Sequence, residues 1–340
     1  MNFRRCLTCF LPAAALAAAA VLLSGCGAQV QDTPAAAAAG YPVTVTNCGV
    51  EKTFDAPPER VVVNDINMTE MMFALGLEDR MAGYILSDAK VDNSAVSPWN
   101  DEFAATPRLG TKINKELVQG ADADLVFAGW NYGFTDTSGV TPQSLENVGI
   151  ASYVLTESCR QGESSARGIM DPIEALYTDI TNLGRIFGVE DRARDLVDGY
   201  KQTIADAQAT IPADEPAPRV FLYDGGTDQP LTVGANAAAN DVITRAGGVN
   251  IFGELDDSWT SVSFAAAADR DPEVILINDY GNTTVDAKEE FLRNHPLMST
   301  TTAVREGNFY ALTYPQLTEG PQNPQAIADF AAYLGSLDAS

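Results

Sequence analysis

Hydrophobic positions along this chain change their period several times. Residues 43–54 (VTVTNCGVEKTF) alternate, which predicts a small hairpin closed by Pro57-Pro58. The run Arg60-Val61-Val62-Val63-Asn64-Asp65 reads as a buried strand ending in polar residues. Asn67, with Glu70 three residues on, has the form of a helix cap. Met68, Met71, Met72 and Leu75 then keep helical spacing until Gly76. Strands are expected over 80–84, 124–129 and 151–155, with helices over 113–118 and 145–148. Strands alternating with helices imply a parallel α/β sheet.

Residues 171–209 carry a different pattern. Ile173, Leu176, Ile180, Leu183 and Phe187 fall at steps of three and four. Gly188 interrupts, and Ala193, Val197, Tyr200 and Ile204 resume the period. A helix of about 20 residues spans roughly 30 Å, enough to bridge two domains. The segment 212–218 (PADEPAP) ends it, and the first pattern returns. Pro218-Arg219-Val220-Phe221-Leu222-Tyr223-Asp224 mirrors the strand at 60–65, with Arg five positions before Asp in both. The run 271–277 (DPEVILI) echoes 123–127. Two similar α/β units therefore flank one helical connector.

The N-terminus reads as an address. Arg4 and Arg5 precede an apolar run from about residue 10 to 23, short for a membrane span and right for a signal segment. It ends in Leu23-Ser24-Gly25-Cys26, which resembles a bacterial lipobox whose Cys is acylated. The expected organisation is a signal peptide over 1–25 and a lipid anchor with an Ala-rich tether over 26–40. An N-terminal α/β lobe over 41–168, a helical connector over 169–212 and a C-terminal α/β lobe over 213–340 follow. The mature protein is expected on the extracytoplasmic face of the cell membrane. Cys6 and Cys9 leave with the signal and Cys26 takes lipid. Cys48 and Cys159 remain in an oxidising setting and are expected to form a disulfide.

Charge narrows the function. Asp and Glu number 46 against 21 Lys and Arg, a net charge of −25, which argues against a broad phosphate-binding surface and hence against nucleic acid. His295 is the single His, so a His-rich metal site is excluded and no directly bound metal is expected. No G-x-S-x-G elbow, P-loop, G-x-G-x-x-G or two-His motif is present, so no enzyme is expected.

Six phrases in order carry a family resemblance: PPERVVVND…LGLEDRMAGY (57–84), PRLGTKINKELVQGADADLVFAG (107–129), LGRIFGVEDRARDLVDGY (183–200), AGGVNIF (246–252), DPEVILI (271–277) and AVREGNFYAL (303–312). The chain resembles substrate-binding lipoproteins of ABC importers, in the subgroup with a rigid interlobe helix that carries iron–siderophore, cobalamin or haem. The resemblance implies two Rossmann-like lobes of parallel sheet joined by a long helix. It also implies a cleft between them and small hinge motion. It further implies a monomer that takes up a small-molecule chelate, an iron–siderophore first, and meets an ABC permease and its ATPase. Cobalamin, haem or a deazaflavin precursor stay open as cargo. So does a sensing or structural lipoprotein without transport.

Ligands of open α/β sheets lie beyond the carboxyl ends of strands. The loop Trp130-Asn131-Tyr132-Gly133-Phe134 follows a strand directly, and its aromatics suit a ring system or a cationic face, or else pack the loop onto its own lobe. Asp65, Asn67, Tyr223, Asp228, Trp259, Tyr280 and Tyr314 complete the candidate ligand wall. The acids favour a neutral or cationic chelate, unless they serve only as caps and turns. No resident cofactor is expected. In the family a Glu on each lobe meets Arg on the permease. Glu116 matches the first, but Ala265 stands where the second belongs, and Glu254 or Asp269 would have to substitute.

Overall fold

The computed structural model describes residues 39–212 and 216–337. The signal segment, Cys26 and the tether up to residue 38 lie outside them.

The first lobe opens with the antiparallel hairpin β1 (Val43–Asn47) and β2 (Val50–Phe54). Then follow β3 (Val61–Asn64), α1 (Ile66–Ala74), β4 (Met81–Ile85), α2 (Val91–Ala95), α3 (Asn100–Ala105) and β5 (Arg108–Gly110). α4 (Lys115–Gly120), β6 (Leu125–Trp130), β7 (Gly133–Phe134), α5 (Pro142–Glu146) and β8 (Ala151–Val154) complete it. The parallel sheet runs β5-β4-β3-β6, with β7 and β8 both paired to β6. Valines of β3 are fully buried on both faces, as a sheet covered by helices requires.

The connector is built of two helices, α6 (Pro172–Phe187) and α7 (Glu190–Gln208), about 24 and 28 Å long. Gly188 ends α6 in the left-handed conformation, φ 70°, and the chain turns back. α6 starts against the second lobe: Asp241 accepts from the Ile173 amide at 2.9 Å, and Arg245 pairs with the helix-capping Asp171 at 3.0 Å. It ends against the first, where Asn182 and Arg185 donate to the carbonyls of Thr46 and Thr44 in β1. α7 returns from Arg192, which donates to the Ala74 carbonyl at the end of α1. A side-chain carbon at Gly184 would come within 2.4 Å of Ala193, so glycine lets the two helices close on each other.

The second lobe contains β9 (Arg219–Tyr223), β10 (Leu231–Val233), α8 (Ala238–Arg245), β11 (Val249–Asn250), β12 (Trp259–Ser261), α9 (Phe264–Asp269) and β13 (Val274–Asp279). α10 (Val285–Asn294), α11 (Thr302–Glu306), β14 (Phe309–Thr313), α12 (Tyr314–Leu317) and α13 (Asn323–Leu337) follow. Its parallel sheet, β11-β9-β13-β14, repeats the order of the first. The internal repeat has a physical cause. Arg60 donates to the carbonyls of Ala121 and Asp122 before β6, and Arg219 to those of Arg270 and Asp271 before β13. Each guanidinium ties the start of one strand to the turn that feeds its neighbour.

α1 is buried on every side because it lies under the sheet, against α7 and against the second lobe's 318–322 loop. Its cap is Asp65, not Asn67. The Asp65 carboxylate accepts the Ile66 amide, and Asn67 is the second residue of the helix, fully buried.

Cys48 and Cys159 are bonded, tying the hairpin to the segment after β8 across 111 residues. Closing a loop of that size restricts the unfolded chain. A Cys48→Ser/Cys159→Ser protein should lose about 2–5 kcal/mol of stability. Urea unfolding in the absence of reductant checks this; an unchanged midpoint would refute it.

Candidate functional site

The carboxyl ends of both sheets meet along one seam, and β3 supplies its centre. Asp65 adopts φ 79°, a left-handed geometry that costs a non-glycine residue on the order of 1–3 kcal/mol. Its backbone is fixed by the Ile85 carbonyl and by the amide of Thr69. The side chain does two things: Oδ1 caps α1, and Oδ2 accepts from Lys90 Nζ and from the Tyr314 hydroxyl across the seam at 3.1 Å. Asn131, φ 64°, is a second strained residue at the same edge.

Two recesses adjoin these strand ends. A cavity of about 230 Å³ is lined by Asp65, Lys90, Lys112, Tyr132, Asn64 and hydroxyl-bearing neighbours such as Thr111 and Ser138. A larger recess of about 650 Å³ lies on the flank of the first lobe, between the hairpin, α5 and Trp130. First-lobe residues line both recesses, but the smaller one contains Asp65 and Lys90, which touch Tyr314 of the second lobe, so the smaller cavity is the one beside the seam.

The sequence-derived candidates divide accordingly. Asp65 and Tyr314 touch directly. Tyr280 stands beside Tyr314, ring centroids 5.0 Å apart, and Tyr132 lines the seam cavity. Trp259 is half-buried next to Ser258, a seam residue, and its indole N–H has no acceptor among the described residues. Trp130 is half-buried on the flank recess, capped by the Arg160 guanidinium 3.5 Å from its ring centre. Asp228 is exposed on the loop after β9. Three expectations do not hold as surface. Phe134 is fully buried in the first lobe's core, because β7 turns its side chain under the sheet. Tyr223 is buried in the second lobe's core and stacks on Phe291. Asn67 is buried, and its amide donates to the Glu319 carbonyl at 2.7 Å. These three are structural in this conformation.

Lone residues in loops were invisible to periodicity, and they hold the seam together. The Glu157 amide donates to the Glu319 carboxylate at 2.7 Å, and the Glu319 amide donates back to the Glu157 carboxylate at 2.9 Å. Ser258 adds a bond to Glu157 at 2.9 Å. Asp179 of α6 accepts from Tyr153, from the Thr156 amide and from the Thr156 hydroxyl. Burial pushes the Glu319 carboxyl well above the usual range, and the charges of Asp179 and Glu157 push it further. Glu319 Oε1 has no hydrogen-bond donor among the described residues, and burial raises the neighbouring Asp179 carboxyl to about 6. Glu70 accepts from Ser97 at 2.6 Å and, across the seam, from Gln322 at 2.7 Å. Burial outweighs these two bonds and lifts its carboxyl to about 7.

Glu116 is exposed in the first turn of α4, behind its cap Asn114, as expected of a residue free to meet a partner. In the second lobe Ala265 holds the corresponding place in α9, behind the cap Ser263. Glu254 is paired with Arg270 at 2.5 Å, while Asp269 is exposed at the end of α9. Among the described residues no helix is long and apolar enough to cross a membrane.

A family model described as periplasmic binding protein matches residues 61–315. An uncharacterized ABC transporter substrate-binding lipoprotein, YvrC, of Bacillus subtilis is 26% identical over 274 residues, 78% of this chain and 79% of its own length. A cobalamin-binding protein of Halobacterium salinarum is 22% identical, over 83% of this chain and 71% of its own. Among solved structures, an ABC-type Fe3+-hydroxamate transport protein of Saccharomonospora viridis superposes with a TM-score of 0.72 at 26% identity, covering 87% of this chain and 99% of that one.

The folded protein holds a proton on Glu70 that the unfolded chain releases above its ordinary value of 4.5. Stability from this group is therefore full below about 4.5 and declines as pH rises through about 7. Urea unfolding at a series of pH values should show a shallower decline over that window in Glu70→Gln than in the wild type. Identical slopes would refute the buried-acid account.

Proposed function

The chain belongs to the periplasmic binding protein family, and on that premise we propose that it is the extracytoplasmic binding lipoprotein of an ABC importer for a metal chelate. An iron–siderophore is the first reading of the cargo. The observation that carries it is the seam itself: polar and aromatic groups of two parallel sheets converge at their carboxyl ends, where such folds take ligands. Asp65, Tyr280 and Tyr314 form its centre, Tyr132 and Trp259 its sides, and Trp130 and Asp228 its outlying contacts. Cys26 carries the lipid that keeps the protein at the membrane. The boundaries drawn above at residues 26, 41, 169 and 213 are our division of the chain into tether, lobes and connector. Glu116 is the docking residue for the permease, with Asp269 the acid on the second lobe that best replaces the one missing at Ala265. An exposed ion pair contributes only about 0–1 kcal/mol, so Glu116 acts on orientation more than on affinity.

The Fe3+-hydroxamate protein at 26% identity supports the siderophore reading. Cobalamin is the second, favoured by the Halobacterium relative's name and by the amide- and hydroxyl-rich lining of the seam cavity. Titration of the delipidated protein with a ferric trihydroxamate and with cobalamin, read by tryptophan quenching, separates them. One of the two should bind with micromolar or tighter affinity, and Tyr280→Ala should weaken that binding about tenfold. Binding of neither would refute both the hydroxamate and the cobalamin readings. Unchanged affinity in Tyr280→Ala would remove the seam from the site.

A further inference from the structure

The cavity beside Asp65 is smaller than the roughly 300–1,000 Å³ of ordinary small-molecule sites, and Lys90, one of the first-lobe side chains lining it, stands between it and the second lobe's Tyr280 and Tyr314. Lys90 leaves the short turn Asp88–Lys90 of the first lobe and reaches across to the second. Its ammonium bonds Asp65 and lies 3.9 Å from the ring centre of Tyr314 and 5.6 Å from that of Tyr280. Both charged side chains are withdrawn from water, 12% and 6% exposed. Asp224, at the end of β9, adds a second negative charge that acts on Lys90. A carboxylate beneath two inclined aromatic faces is a recognition set for an organic cation: the carboxylate supplies charge and the ring faces supply their negative quadrupoles. The Tyr314 hydroxyl bonds the same carboxylate and so holds its ring in place.

We propose that Asp65, Tyr280 and Tyr314 form a cage for a cationic group of the alkylammonium class on the cargo, and that Lys90 is its resident occupant, displaced when cargo enters. This rests on the reading of the seam as the cargo site. The exchange is selective on physical grounds. A cargo that brings a cation replaces the one it expels, and the freed lysine returns to water. A cargo without one would leave Asp65 buried and unpaired, which is strongly unfavourable. Lys90 also joins the lobes in the absence of cargo, since its stem belongs to one and two of its partners to the other.

The test uses tetramethylammonium, a bare probe of the cage, titrated into wild-type protein and Lys90→Ala by the change in tyrosine fluorescence. Lys90→Ala should bind it at least about tenfold more tightly than the wild type, and Tyr280→Leu in that background should abolish the gain. Lys90→Met keeps the packed stem without the charge and should show the same direction of change if Lys90→Ala loses folded structure by circular dichroism. No gain in either variant overturns the cage. A second arm compares a ferric trihydroxamate bearing a free ammonium arm with its N-acetylated form. Lys90→Ala should favour the ammonium form, and equal effects on both would overturn the selectivity. A gain for tetramethylammonium with no chelate or cobalamin binding leaves the cage standing and removes both the hydroxamate and the cobalamin readings. Chelate binding without that gain does the reverse.

Discussion

Two backbone amides and two carboxylates, exchanged between Glu157 and Glu319, set the position of one lobe on the other. Each glutamate accepts the other's N–H, so the pair closes like a strand ladder made with side chains. Among the described residues no lysine or arginine hydrogen-bonds it, though the Arg167 charge acts on Glu157, and low dielectric makes every bond in it both stronger and harder to lose. Burial, with the charges of Asp179 and Glu157, pushes Glu319 well above the usual carboxylate range, and burial holds Glu70 and Glu157 above it too. The seam is thus a joint whose acids are shifted toward their neutral forms, inside a molecule whose net charge is −25.

That joint explains the shape of the cleft. The 318–322 loop enters the first lobe through Glu319 and Gln322, and α6 and α7 cross between the lobes. Rotation of one lobe about the other would have to break the reciprocal bonds, the capped start of α6 and the Arg192 contact together. On the proposed reading, space for cargo is gained by moving side chains at the rim more than by opening a hinge. Lys90 is the side chain best placed to move, because its turn is at the surface while its tip is not.

Much of the fold was legible in the sequence, and the reasons are local. β3, β6, β9 and β13 are short buried runs whose apolar residues have no other use, and the repeated Arg60 and Arg219 marked equivalent strand starts. The Cys48–Cys159 bond followed from the count of cysteines left after processing. The site was legible only in outline. Strand ends pointed to Asp65 and Tyr280 as candidates, which the structure brings to the seam with Tyr314, but an aromatic beyond a strand end can turn inward, as Phe134 does, or sit within the strand's core face, as Tyr223 does. Asn67 fits a capping pattern that Asp65 satisfies instead, by taking a strained backbone that no composition rule anticipates. Lys90, Glu157 and Glu319 are single residues in short turns and loops, and their roles depend on contacts up to 252 positions away in sequence. Periodicity carries no information about such pairs.

The joint is tested most directly by hydrogen exchange at the Glu157 and Glu319 amides in the ligand-free protein. If the reciprocal bonds fix the lobes, both amides exchange only through global unfolding, with a free energy equal to that from urea denaturation. Exchange through a smaller, subglobal opening, with α6 and the sheet amides still protected, would show that the lobes part on their own and would contradict the account.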